Sequence, residues 1–318
     1  MPRGEAQEEV IGMQSSSNSK PWLILLAFAS LYVIWGSTYL AIKVAIETIP
    51  PFLMATTRFL IAGAVLYGAA RLRGVPRPAP YQWKHAFLVG ILLITGGNGV
   101  VTFAEKWIDS SMAALIIAIN PLVMTLFGWW GGVQGRPTIG VWLSLAGGFL
   151  GVGFLVASGG DIALDGSALG YLCILLAVVS WTLGSVFSKR NPLSVNPWLQ
   201  SGMQMLSGGI ACLLVGLLLG EFGGFDPGAV SARSWWAFAY LVIAGSLVGF
   251  TSYVYLLNHC SPTTVSSHAY VNPVIAVFLG WWMLDEQLTP VGALGAGLIL
   301  ASVFLLLRQS RPKTESNG

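Results

Sequence analysis

Charge is what this sequence has least of. Asp, Glu, Lys and Arg make up 9% of the 318 residues, against roughly 25% in an ordinary soluble domain. Such a chain cannot cover a water-facing globule with polar side chains. Cysteine is scarce as well: Cys173, Cys212 and Cys260 share no spacing, which excludes a disulfide framework or a clustered metal site and leaves them as packing residues. The histidines are three and scattered, so no metal or cofactor is implied. No Walker A pattern occurs, which excludes ATP-driven transport by this chain alone and implies no ATPase subunit. Basic residues form no cluster on a polar surface, and the net charge of +3 is no nucleic-acid footprint. No Asp or Glu falls near the centre of a long apolar run, which weakens any proton relay built on a midplane carboxylate.

What is present is apolar sequence in membrane-length runs. Uncharged stretches cover 22–42, 86–104, 112–133, 138–158, 166–188, 198–220, 234–258, 263–284 and 290–307, and a tenth, 52–70, carries only Arg58. About 20 apolar residues span a bilayer as a helix, and helices or closed barrels alone satisfy every backbone group in hydrocarbon. Barrel strands would alternate apolar and polar residues, and these runs do not. The sequence therefore predicts an all-α membrane protein of ten transmembrane helices. Residues 1–20, polar and Ser-rich with Glu5, Glu8 and Glu9, read as a disordered tail, since a signal peptide would begin with a basic region. Residues 309–318 read as a second tail.

Lys and Arg set the orientation, because they concentrate on the cytoplasmic side. Assigning loops alternately to two sides places twelve with the N-terminus and three, Lys43, Lys106 and Arg233, opposite; Arg58 inside the membrane completes the sixteen. Both termini are expected in the cytoplasm.

The chain also repeats itself. At an offset of 146, Trp35 and Lys43 meet Trp181 and Lys189, and Ala62-Gly63 meets Gly208-Gly209; at 152, Asn120-Pro121 meets Asn272-Pro273, Gly128-Trp129 meets Gly280-Trp281, and Gly140 meets Gly292. A six-residue insertion accounts for the change of offset. The repeats are expected over 21–158 and 166–308, five helices each. An odd-numbered unit repeated once must be inverted in the membrane, and inverted repeats are a secondary-transporter architecture with the site near the midplane between the halves.

Trp35-Gly36-Ser37-Thr38, the second helix with Arg58, the paired Asn-Pro motifs, and 285–290 (Asp-Glu-Gln-Leu-Thr-Pro) followed by Gly292 together resemble the EamA family of the drug/metabolite transporter superfamily, over about residues 22–308. The resemblance implies two EamA repeats, ten helices, a bacterial inner-membrane location, and export or exchange of small metabolites such as amino acids. One position departs from the pattern: Glu286 is matched in the first half by Gln134.

Polar groups inside a bilayer are costly and ask for a partner or a role. Arg58, about 10 Å from the end of its helix at 1.5 Å per residue, either attracts a carboxylate-bearing substrate or pairs with Glu47, Glu105 or Asp109. Thr95, Asn98, Thr102 and Glu105 share one α-helical face, and Thr264, His268 and Asn272 form a similar stripe; each lines a water-filled path or serves interhelical packing. Trp35 and Trp181 fall mid-membrane, where tryptophan is not an interfacial anchor, and either face a cavity or fill a core. Tyr32, Tyr39, Tyr253 and Tyr270 are further candidate lining. Asn120 and Asn272 precede Pro121 and Pro273, which should free the carbonyls of Ile117 and Ala269 as static kinks or hinges. Gly147 with Gly151, and Gly128 with Gly132, are spaced for close helix packing.

The function these features support is a secondary transporter that exports or exchanges small amphipathic metabolites by alternating access. Its partners are then a small-molecule substrate and the lipid bilayer. Multidrug or organic-cation efflux is the alternative within transport. A membrane receptor or scaffold is the alternative outside it, disfavoured by loops no longer than about 14 residues. An enzyme would need a convergent reactive set, and none is visible.

Overall fold

The uncharged runs become helices in a computed structural model that describes residues 21–158, 168–275 and 289–309. They are α1 (Pro21–Ala45), α2 (Pro51–Leu72), α3 (Pro80–Ala104), α4 in two pieces (Ser110–Ile117 and Asn120–Trp130), α5 (Ile139–Ser158), α6 (Ala168–Arg190), α7 (Pro197–Leu218), α8 (Ala232–His259), α9 beginning with Pro262–Ser266, and α10 (Pro290–Gln309). Among the described residues there is no β-strand. Proline stands in the first turn of α2, α3, α7 and α9, where the missing N–H has no intrahelical acceptor to lose. Among the described residues eight helices are long and apolar enough to cross a membrane, and Ile139–Phe154 is a shorter apolar one. α9 is described only to residue 275, so Gly280, Trp281 and Glu286 lie outside the described residues, as do both expected tails apart from Gln309, which closes α10.

The outer faces are apolar: Leu25, Leu26, Val33 and Leu40 on α1 and Leu172, Leu175, Leu176 and Leu183 on α6 are exposed. In water such a surface would drive association; against lipid tails it is simply solvated.

The duplication seen in the sequence is present in the packing. α2 and α7 make one of the two most extensive helix contacts, and α5 with α10 the other. A Cβ added to Gly63 would lie 2.9 Å from the Leu206 backbone nitrogen, and one added to Gly209 would lie 3.2 Å from that of Leu60. Leu60 and Gly63 are the 146-offset equivalents of Leu206 and Gly209, so the contact is reciprocal, the mark of a two-fold relation. Lys43 Nζ donates to the carbonyl of Glu105 at 2.8 Å, and its equivalent Lys189 donates to Leu257, the equivalent of Glu105, also at 2.8 Å. Each lysine thus meets carbonyls at the C-terminal end of the third helix of its own repeat, where cations are favoured. Gly74 and Gly220, also equivalent, adopt φ of 80° and 71° just past α2 and α7.

Several expectations are corrected. α3 and α8 are not uniform α-helices: Ile91–Gly99 and Leu241–Phe250 are π-helical, a form with i→i+5 hydrogen bonds that is frequent at functional sites. α4 is a broken helix, not a kinked one: the chain turns at 118–119, and Pro121 enters the first turn of the second piece. In α9 the interruption falls at Ser267, and helix runs on through Pro273. The two breaks therefore do not sit at equivalent points. Gly128 and Gly132 do not mediate helix packing, because Gly132 (φ 68°) ends α4 and Gly128 accommodates the Gln134 side chain. Gly147 and Gly151 do meet α10, at Ser302 and Ile299.

Since a Cβ at Gly63 must displace backbone, Gly63→Ala should lower unfolding stability in detergent by about 1–3 kcal/mol, the usual cost of overpacking. Gly68→Ala, with nothing within 4 Å of its Cβ, should cause no loss. Equal melting temperatures for the two variants would contradict the close α2–α7 approach.

Candidate functional site

A cavity of about 70 Å³ lies between the two repeats, room for several water molecules at roughly 10–15 Å³ each on this measure. α1 contributes Trp35, Thr38, Tyr39 and Ile42, spaced i, i+3, i+4 and i+7 along one helical face. Arg58 comes from α2; Gly97, Asn98 and Val101 from α3; Ile117 and Asn120 from either side of the α4 break; Ala177, Val178 and Trp181 from α6; and His268 from α9. The floor is aromatic. Trp35 stacks on Tyr253 at 5.3 Å between centroids and meets Trp181 and His268 edge-on at 5.4 and 4.9 Å.

The two tryptophans are held by crossed contacts. Trp181 Cε3 would lie 2.7 Å from a Cβ at Gly97, and Trp35 Nε1 2.5 Å from one at Gly249. Gly97 and Gly249 are equivalent at the 152 offset and stand in the two π-helical segments. Each repeat therefore inserts its tryptophan against the glycine-bearing π turn of the other. Trp35 Nε1 donates to the Gly245 carbonyl at 3.3 Å, whereas Trp181 Nε1 donates to the Tyr253 hydroxyl at 2.9 Å. That hydroxyl also pairs with Ser185 Oγ at 2.5 Å, which itself donates to the Trp181 carbonyl.

Arg58 is 2% exposed. Its Nε donates to Ser246 Oγ at 2.7 Å and its Nη1 to Asn98 Oδ1 at 3.3 Å, and its guanidinium lies 4.7 Å from the Phe59 ring centroid. Of the carboxylates the sequence offered as partners, Glu47 pairs with Arg233 and Asp109 with Lys43. Neither Glu105 oxygen has a hydrogen-bond partner among the described residues. No ion pair to Arg58 is found among the described residues. An arginine at a helix centre costs about 2.5–3.5 kcal/mol on insertion scales, and neutral Ser246 and Asn98 do not neutralise it.

Of the candidates named from sequence, Trp35, Tyr39, Arg58, Asn98, Asn120, Trp181 and His268 line the cavity. Tyr253 is one layer behind, under Trp35. Asn272 is also behind, its Nδ2 donating to the Tyr39 hydroxyl at 3.4 Å. Thr102 turns back to the Asn98 carbonyl, and Thr95 bonds the Gly208 carbonyl, so the supposed α3 stripe divides between packing and cavity. Tyr270 is elsewhere, bonding the Leu145 carbonyl of α5. Tyr32 pairs with Ser267 Oγ at 2.7 Å at the α9 break. Sequence reasoning missed Thr38, which completes the Trp35 face by spacing, and Ser246, whose only sequence signal is a serine in an apolar run. Gln134, at the position matching Glu286, spans the repeats by bonding Thr263 Oγ1 and the Thr125 carbonyl.

Comparison with known proteins agrees with this architecture. The model of the EamA-like transporter family matches residues 21–157 and 168–308. The chain is 36% identical over 281 residues to YedA of Escherichia coli strain K12, described as an uncharacterized inner membrane transporter, covering 88% of this chain and 89% of that one. It is 25% identical to the uncharacterized transporter YoaV of Bacillus subtilis, covering 89% and 96%. A solved crystal structure, 22% identical, superposes with a TM-score of 0.71 over 91% of this chain and 99% of its own, a likeness of fold.

Tyr253→Phe keeps the ring on Trp35 but leaves the buried Trp181 N–H unpaired, and should destabilise the protein by about 1–3 kcal/mol. Trp35→Ala should cost more, about 3–5 kcal/mol. Unfolding in a graded denaturing detergent would order the two variants.

Proposed function

The chain belongs to the EamA-like transporter family, and from that premise we propose that it is an inner-membrane secondary transporter moving small amphipathic metabolites by alternating access. Ten helices form two inverted five-helix repeats with both termini in the cytoplasm. Export or exchange is the direction that the family resemblance favours. The observation that carries the reading is the cavity itself, walled by both repeats and floored by tryptophans that each repeat inserts into the other. A site at a repeat interface can open to either side when two similar halves exchange conformations.

In this orientation the cavity occupies the outer half of the molecule, from Trp35 towards the C-terminal end of α1. Below it Trp35, Trp181, Tyr253 and His268 close the path to the cytoplasm. The α6 residues equivalent to Thr38, Tyr39 and Ile42 are Gly184, Ser185 and Ser188, all buried, which supports an inner half that is shut while the outer half is open. Movement of the π-helical turns against the tryptophans is the proposed switch, with the α4 and α9 breaks as the hinges in place of Pro121 and Pro273 themselves. No Asp or Glu is among the described residues that line the cavity, which disfavours organic-cation efflux, since a second cation beside Arg58 would be desolvated with no carboxylate to offset it. Nothing among the described lining residues resembles a reactive set, and the relatives named above are transporters.

Counterflow in proteoliposomes with a pool of amino acids, organic acids, nucleosides and organic cations tests the reading. The wild type should accumulate label from at least one class. Val101→Trp, which fills the cavity, should reduce that signal by about tenfold or more, equivalent to at least about 1.4 kcal/mol, while still eluting as a folded protein. Undiminished counterflow would remove the cavity from the path. Single cysteines at Gly74 and Gly224 should react with impermeant reagents from opposite sides, Gly74 from the cytoplasm; labelling of both from one side would overturn the inverted topology.

A further inference from the structure

We infer that the cavity is a site for organic monoanions, in which Arg58 binds a carboxylate and the tryptophan floor receives an apolar body with no ammonium group. The inference rests on the transport reading for its biological sense but on the cavity alone for its chemistry.

Arg58 carries five N–H donors in a planar fork, and its charge persists at any physiological pH. Two of those donors are used, on Ser246 and Asn98. No hydrogen bond from Nη2 is found among the described residues, and this nitrogen lies where Gly245 lets the backbone approach: a Cβ there would be 2.8 Å away. Ser246 and Asn98 come from different repeats and fix the guanidinium through Nε and one Nη1 hydrogen, leaving donors available for an incoming carboxylate. A charge-assisted bond of that kind is about twice as strong as a neutral one, and it would supply the counter-charge the protein withholds.

The same cavity offers little to an ammonium. Asn98 Oδ1 is taken by Arg58, and Asn120 Oδ1 accepts from Thr182 Oγ1 at 3.2 Å. The Tyr39 oxygen accepts from Asn272, whose own unpartnered Oδ1 is buried outside the lining. No carboxylate is among the described lining residues. Glu105, one turn beyond Val101 and just past the end of α3, is buried outside the lining and has the Lys43 ammonium on its own carbonyl. An α-amino group would therefore be desolvated without an anionic partner. Ile42, Val101, Ile117 and Val178, with Trp35 and Trp181, match a branched aliphatic or aromatic body.

Three molecules that share an isobutyl body separate the possibilities: 4-methylpentanoate, leucine and 3-methylbutylamine. Calorimetric titration into the full-length protein in detergent should show 4-methylpentanoate binding at least about tenfold more tightly than the other two, as expected for one uncompensated buried charge. Arg58→Gln, which places at 58 the residue its own repeat equivalent Gln204 already is, should abolish that binding, and Arg58→Lys should retain part of it. Leucine or the amine binding as tightly as the acid overturns the inference, as does unchanged binding in Arg58→Gln. Chloride competing at equal concentration would show a site for any small anion and overturn the organic class. Should Arg58→Gln fail to fold, the three-ligand order on the wild type decides alone. Acid binding without counterflow would remove the transport reading and leave this inference standing; counterflow of another class without acid binding would do the reverse.

Discussion

Hydrocarbon supplies no hydrogen-bond partners, so every polar group the chain carries into the membrane must be satisfied by the chain itself. The rest of the structure follows from that demand. It makes the apolar runs helices, sends Lys43 and Lys189 to the carbonyls at the ends of α3 and α8, and turns Thr102, Thr125 and Ser185 back onto carbonyls four residues earlier. Some groups escape the rule: Arg58 has no counter-charge, and eight described residues, Glu105, Gln204 and Asn272 among them, carry a buried side-chain polar atom without a partner among the described residues.

The helices, their order and the duplication were legible because they rest on composition and position, which a single sequence records directly. A run of 20 uncharged residues has one structural solution in lipid, and a constant offset survives folding intact. Trp35 and Trp181, Lys43 and Lys189, Gly63 and Gly209 were paired by arithmetic and are paired again by contact. Arg58, too, announced itself as a charge within an apolar run.

What the sequence hid was local helical geometry. The stripe through Thr95, Asn98, Thr102 and Glu105 assumed 3.6 residues per turn, but Ile91–Gly99 is π-helical, and the wider turns rotate successive side chains onto different faces. Thr95 accordingly reaches α7 while Asn98 reaches the cavity. At Pro121 the helix is broken where a kink was expected, for a related reason. Proline forbids a hydrogen bond from its own nitrogen, yet a helix that starts afresh at Asn120 needs none there, and the unwinding moves to the preceding residues. Tyr253 and Tyr270 differ only in which face of their helices meets the centre, a distinction set by tertiary packing.

The two-fold relation holds in the α2–α7 approach, the crossed tryptophans and the π turns, and it is broken in chemistry; the break is informative. Arg58 and Gln204 occupy equivalent positions, one a cation beside the cavity and the other a fully buried amide on α7, whose backbone carbonyl faces Gly90 of α3. Were cargo bound twice, once in each half, both positions would need the same charge. Alternating access requires less. One site serves both sides if the walls move around it, so symmetry is needed in the elements proposed to move: the crossed tryptophans, the π turns and the α2–α7 approach. The cargo contacts are free to be single, and a single arginine is sufficient for a single carboxylate.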